Sequence, residues 1–367
     1  MTEGAKRLRA AYEITPDAPI YLTEFGDGYF FGLERWKREG MPQDISFETL
    51  FCWNDRGKFT LGGKTGDNIL VPGFAPDVVS RTDTYIITRD QMGRTIKSFQ
   101  KCDHQYMPEF VGHAVNSPED WYGSVKPRLN PETAERYADF PKRIEEAKRW
   151  REQGKLISYE FDGGYMYLRD LFGPEDLLYA FYESPELVLD AMESWLAVHD
   201  AALAEFQKGI SVDELFLKED ICYKTSSLIS PAMMEEFLFP YYRRLIQSAQ
   251  SRQAVPFVLA MDSDGHIDSV IPYYHALGFR IFSPFEVAAD CDVVELGQKY
   301  PDIVISGGMD KRILATTPEE IDSMLQRILP AMKKRGGYIP TCDHGVPEGV
   351  PYENYLYFRK RIAELSE

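Results

Sequence analysis

Positive charge is in short supply in this 367-residue chain: 41 Lys and Arg stand against 58 Asp and Glu, a net charge of −17. So acidic a surface repels phosphate backbones and anionic lipid, which argues against nucleic acid or membrane as the main partner. Cysteine is sparse: Cys52, Cys102, Cys222, Cys291 and Cys342 are scattered, with no C-x-x-C pair. That is no disulfide framework, and it points to a reducing, cytoplasmic setting. No apolar run is long enough to span a bilayer, and residues 1–22 lack the uninterrupted apolar core of a signal peptide. Neither G-x-G-x-x-G nor G-x-x-x-x-G-K-[ST] follows any expected strand, so a nucleotide-binding doubly wound sheet is poorly supported.

What is present is ordinary globular composition, 44% hydrophobic and 27% charged, enough to bury a large core. Aromatics are abundant, and near the N-terminus a cluster at Tyr29, Phe30 and Phe31 suits an amphipathic pocket, making Tyr29 and Phe30 candidate substrate contacts. Pro19–Phe25 reads as a first strand. Thr84–Thr88 and Arg94–Phe99 flank the turn Asp90-Gln-Met-Gly93 and predict an antiparallel hairpin. From Asn130-Pro131 a helical stretch is expected, with a break near Pro141, running to Gly154. Strands and helices then alternate, with strands expected at 156–161, 214–220, 257–262, 280–283, 302–306 and 338–341. Such alternation means parallel pairing through right-handed crossovers. The expected fold is α/β: a (β/α)₈ TIM barrel spanning 1–367 as one domain, with 60–125 an N-terminal elaboration that carries the hairpin.

In such a barrel ligands collect where strands exit, and there this chain turns acidic. The run Phe257-Val-Leu-Ala-Met-Asp262 ends in Ser263, Asp264 and Gly265. Extended backbone alternates, so Asp262 and Asp264 share a side, where two carboxylates call for a cation, a proton or water. The competing reading is a solvated turn in which Ser263 or Asp264 caps the next helix, as His266 also would. The rim further collects Glu24, Asp162, Glu219 with Asp220, Glu286, Asp310 with Lys311, and His344. Oxygen ligands with imidazole suit a divalent cation such as zinc, while a pocket of acids with one raised pKa suits metal-free acid–base chemistry. Glu219, Asp220, Asp310 and His344 are the candidate catalytic groups. Asp162 and Lys311 are candidate substrate contacts; Gly307-Gly308 before Lys311 lets backbone approach a ligand.

The segments LISPAMMEEFLFPYYRRLI (228–246), DSDGHID (262–268), VISGGMDKRIL (304–314) and HGVPEGVPYEN (344–354), in this order and spacing, resemble the uroporphyrinogen decarboxylase superfamily over the last two thirds of the chain. The resemblance implies a (β/α)₈ barrel and a superfamily that includes porphyrinogen decarboxylases and corrinoid-dependent methyltransferases. The decarboxylases carry an Arg-rich motif after the first strand; here that place reads Gly26-Asp-Gly-Tyr-Phe-Phe-Gly32, without a cation. The methyltransferases hold zinc through His-x-Cys on one strand end and Cys on the last, and those positions fall here on Asp262, Asp264 and His344. The resemblance therefore implies a methyltransferase-like enzyme moving a methyl group between a small molecule and a corrinoid carried by a partner protein. Asp262, Asp264 and His344 are then the expected ligands of a divalent metal, zinc first. Decarboxylation is the alternative, a non-catalytic barrel binding a tetrapyrrole or corrinoid protein the second alternative, and a homodimer is compatible with all three.

Overall fold

Along Leu156–Asp162 every second side chain is large and apolar, and this period of two sorts the strand's faces. Ile157, Tyr159 and Phe161 enter the main hydrophobic cluster with the surrounding helices, whereas Leu156 joins a separate cluster on the other face. The structure, a computed structural model, describes residues 1–24, 30–62, 69–100 and 108–367. The strands are β1 (Lys58–Thr60), β2 (Asp77–Arg81), β3 (Tyr85–Arg89), β4 (Thr95–Phe99), β5 (Glu109–Gly112), β6 (Leu156–Asp162), β7 (Glu214–Lys218), β8 (Val258–Asp262), β9 (Phe279–Ser283), β10 (Val304–Ser306) and β11 (Tyr338–Ile339).

Seven of them form one curled parallel sheet in the order β1-β6-β7-β8-β9-β10-β11. The first strand expected at Pro19–Phe25 does not form in its described part, residues 19–24, which is tied in by isolated hydrogen bonds and not by a strand ladder. Leu22 donates to Asn54 Oδ1 at 2.7 Å, and Cys342 N–H donates to the Glu24 carboxylate at 3.1 Å. The helix Glu3–Tyr12 closes the lower end: Leu8 and Ala11 pack with Tyr21, Leu156, Ala260, Ile281, Val304 and Ile339. This is the (β/α)₈ architecture expected from the alternation.

Outside the barrel, β2 to β5 make an antiparallel four-stranded sheet. Its β3–β4 hairpin is the one expected: Asp90 Oδ1 accepts the N–H groups of Met92 and Arg94, and Gly93 supplies the positive φ of +83°. Arg94 fastens the sheet to the barrel through an ion pair with Asp170 at 2.8 Å.

Two further expectations fail locally. The helix expected from Asn130 begins only at Phe140; before it residues 126–129 and 134–137 form short tight turns, and Pro141, where a break was expected, sits in the helix's first turn, where its missing donor is tolerated. The strand Lys58–Thr60 was not foreseen, because three residues are too few to show a period. Among the described residues, no helix is long and apolar enough to cross a membrane.

Candidate active site

The parallel register sets out the mouth of the barrel. Asp162 pairs with Lys218, Lys218 with Asp262, and Asp262 with Ser283, so four strands present these side chains in one row. Paired residues of neighbouring strands share a face and lie about 4.8 Å apart. The face is the inner one, continuous with Phe216 and Ala260 below. A lysine flanked by two aspartates is thus built into the sheet. Lower down, Lys58 meets Glu214 at 2.8 Å and Glu160 at 3.5 Å, with Tyr12 donating to Glu214. Burial would lower the Lys58 ammonium's pKa, but Glu214, Tyr12 and Glu160 hold it well above its usual value.

Asp262 has a displaced titration with a visible cause. Burial pushes its carboxyl up to about 7, the Ser283 hydroxyl donating at 2.6 Å pulls it down, and Asp264 and Asp220 push it up again. Beyond it Asp264 Oδ2 meets His344 Nε2 at 3.3 Å, and this carboxylate raises the histidine's pKa against the opposing effect of burial. Asp220 completes the group. It has a left-handed φ of 46°, which brings its carboxylate back to the rim, where Oδ1 accepts the Asp264 N–H at 3.2 Å and Oδ2 pairs with Arg169 at 2.8 Å. Ser263 caps no helix: its hydroxyl accepts the N–H groups of Ile221 and Cys222 and holds the two rim loops together. His266 leans on the Ala289 carbonyl at 2.7 Å without capping.

Other expected site residues lie elsewhere. Glu219 does not face the mouth. One residue past the strand end, alternation turns it outward into the helical layer, where it is fully buried. Its Oε1 accepts the hydroxyls of Tyr242 at 2.6 Å and Tyr274 at 2.9 Å and the N–H of Tyr165 at 3.3 Å, while Oε2 has no partner. Burial pushes this carboxyl up to about 7 despite those bonds. Asp310 turns away from the mouth into a surface cavity of about 500 Å³ beside the helix Pro318–Arg335, clamped by Arg312 at 2.8 Å. Lys311 stays at the rim but bridges Glu286 at 3.3 Å and Asp343 at 3.6 Å. Phe30 is a core residue, 4% exposed, stacked on Trp53 and packed against Trp36, Phe51 and Tyr355. Tyr29 lies outside the described residues.

The expected metal trio is brought only partly together. Asp264 and His344 meet, but Asp262 is turned to Ser283, and among the described residues no three His, Cys, Asp or Glu side chains are placed to hold a cation. Cys342 is no substitute: it is fully buried, with burial holding its thiol well above the usual pKa. The donor set does not fit a three-ligand centre. Arg169, Ser283 and Lys218 were missed as site residues. Only the strand register could have found Lys218 and Ser283, and no sequence signal marks Arg169.

The fold and mouth define a class, a (β/α)₈ barrel with titratable groups, Asp262, Asp264 and His344 among them, at its C-terminal rim. The uroporphyrinogen decarboxylase (URO-D) family model matches residues 167–365, more than half of the chain, and the chain belongs to that family. Among curated proteins it is similar to the uroporphyrinogen decarboxylase of Anaeromyxobacter dehalogenans (strain 2CP-C), 25% identical over 121 residues, 33% of each chain. The enzyme of the same name from Geobacter metallireducens (strain ATCC 53774 / DSM 7210 / GS-15) is 26% identical over 140 residues, 38% of this chain and 39% of the other. The matched stretches thus span under two fifths of those relatives' length. Among solved structures it is similar to a methyltransferase from Methanosarcina mazei, 15% identical, with a TM-score of 0.57 over 99% of both chains. At that identity the likeness shows the fold.

Proposed function

We propose that this chain is a methyltransferase-like enzyme that moves a methyl group between a small substrate and a corrinoid carried by a partner protein, with Asp262 as the general acid. The observation that carries this reading is a carboxyl held at about 7 at the barrel mouth, oriented by Ser283 and backed by the Asp264–His344 pair. A catalytic acid works best when its pKa lies near the working pH. The corrinoid, when bound by its partner, supplies the centre that takes or gives the methyl group; it need not be ligated by this chain. In demethylation the bond from methyl carbon to heteroatom breaks, the electron pair stays on the heteroatom, and the Asp262 proton moves to it. In the reverse direction the Asp262 carboxylate takes that proton back. His344 is the group that restores the proton from solvent.

Charge favours this reading over a polyanionic substrate. Arg169 is neutralised by Asp220, and Lys311 by Glu286 and Asp343, so neither offers free charge to a multiply charged carboxylate. Decarboxylation is the second reading, supported by the printed name of the curated relatives. The same acid would then protonate the carbon that loses CO₂. An anaerobic assay separates them: methylated oxygen, nitrogen and sulfur compounds with free reduced cobalamin in one arm, uroporphyrinogen with product chromatography in the other. Consumption of reduced cobalamin, falling as pH rises above about 7 and reduced about 10²- to 10⁴-fold in Asp262→Asn, is the expected result. Turnover of uroporphyrinogen alone would overturn it.

A further inference from the structure

From Asp170 to Gln207 the chain has nine carboxylates and no Lys or Arg. Five are neutralised from elsewhere: Asp170 by Arg94, Asp190 by Lys126, Glu193 by Arg244, Asp200 by Arg252 and Glu205 by Lys208. The other four, Glu175, Asp176, Glu183 and Glu186, have no ion-pair partner among the described residues. They are not scattered. All lie on or beside the helix Asp176–Glu183, whose Tyr179 and Tyr182 are 57% and 76% exposed. A groove of about 490 Å³ runs along this helix, with Pro118, Phe172 and Leu187 among its apolar walls. Asp176, Tyr179 and Glu183, at i, i+3 and i+7, share the helix face that lines it. Two carboxylates about 10 Å apart along the helix thus flank an exposed aromatic ring over an apolar floor.

We propose that this groove docks a basic amphipathic segment of a partner protein. A guanidinium or ammonium head of that segment meets Asp176 or Glu183, and its aliphatic stem lies along Tyr179. Apolar residues of the same segment fill the space between Pro118 and Phe172. The exposed strip continues past the groove through Tyr182, whose hydroxyl donates to Met233 Sδ at 3.6 Å on the helix Pro231–Phe237. That length suits a protein segment better than a small cation. Charge complementarity selects the partner. Phosphate-bearing surfaces are repelled, and a second copy of this chain would bring its own net charge of −17 against four unpaired carboxylates. The groove shares no residue with the barrel mouth, so the inference is independent of the reaction assigned there.

The test is fluorescence anisotropy of a labelled peptide of Arg-Ala-Leu repeats, titrated with the full chain at low and at physiological salt. Binding that weakens as salt rises is expected, because the charges are exposed. Neutralising the four carboxylates together, as Glu175→Gln, Asp176→Asn, Glu183→Gln and Glu186→Gln, should weaken it about tenfold. Tyr179→Ser with Tyr182→Ser leaves the charge unchanged and should weaken binding about threefold. A control carrying Glu132→Gln, Glu135→Gln, Glu146→Gln and Glu152→Gln changes the net charge equally at exposed positions away from the groove. It should bind as wild type does. No binding, or equal loss in the control and the groove variant, would overturn the proposal, the latter by showing general attraction to an acidic surface. Peptide released as the chain's own concentration rises would give the groove to a second copy and overturn it as well. Circular dichroism verifies that each variant is folded.

Discussion

Glu219 is buried among three tyrosines with, among the described residues, no cation acting on it, and that makes folding itself sensitive to pH. Its folded pKa of about 7 lies above the ordinary 4.5, so between those values the native state keeps a proton the unfolded chain releases. Stability is therefore greatest on the acid side and falls as pH rises through that window. For this fully buried group the whole climb is worth roughly 3 kcal/mol. Asp262, raised from 3.8 to about 7, adds a slope of the same sign. Glu219→Gln keeps an oxygen acceptor for Tyr242 and Tyr274 and removes the charge. Its urea midpoint should fall less than wild type's between about pH 5 and about pH 8. Parallel slopes for the two proteins would refute this account. At this scale the sequence was half legible. Alternation put Asp262 beside Asp264, and the two lie close enough for one carboxylate to act on the other, yet the same rule, extended one residue past β7, sends Glu219 outward, and the left-handed turn at Asp220 is invisible beforehand.

The β6 exit works as an element because it makes room for Glu219. A Cβ on Gly163 would sit 1.4 Å from Glu219 Oε2, and one on Gly164 would press on Met192 at 2.6 Å. Neither glycine is needed for its φ; both are needed for close approach. Gly163→Ala should therefore displace the buried carboxyl from Tyr242 and Tyr274 and cost roughly 1–3 kcal/mol. The same change on a Glu219→Ser background should cost much less, since the obstructing atoms are gone, and equal costs in a double-mutant cycle would contradict the steric argument. Two helix starts follow a pattern visible in the sequence, Ser or Thr before Pro: Ser230 and Thr317 accept the N–H groups of Met233 and Glu320. The start expected at Asn130 fails, because its side chain bonds Glu132 N–H in a turn before three-residue helical turns take over.

Across the whole molecule, order should be graded between barrel and elaboration. Strands β6 to β9 bury both faces, one under helices and one inside the barrel, whereas β2 to β5 are half-buried at best. Amide hydrogens open with free energies set by how much buried contact must be broken. Those of β6 to β9 should exchange slowest in hydrogen–deuterium exchange and those of β2 fastest among the strands. Equal protection of the two sheets would mean that the elaboration is held by more than the Arg94–Asp170 anchor.

Periodicity, turn chemistry and the four family segments were enough to determine the barrel, its hairpin elaboration and the acidic rim that carries Asp262, Asp264 and His344, of which only Asp264 and His344 meet. Those features follow from local rules, because strand alternation and crossover order are properties of the chain's own pattern. The mouth's composition was decided only by tertiary structure. The row Asp162–Lys218–Asp262–Ser283 depends on the relative register of four strands far apart in sequence, and no local signal encodes it. Burial, likewise, is set by what packs around a group: it made Glu219 a core carboxyl, Phe30 a core aromatic and Asp262 an acid near neutrality. Where each charge finds its partner, Asp310 on Arg312 or Lys311 between Glu286 and Asp343, is settled only when distant loops meet at the rim.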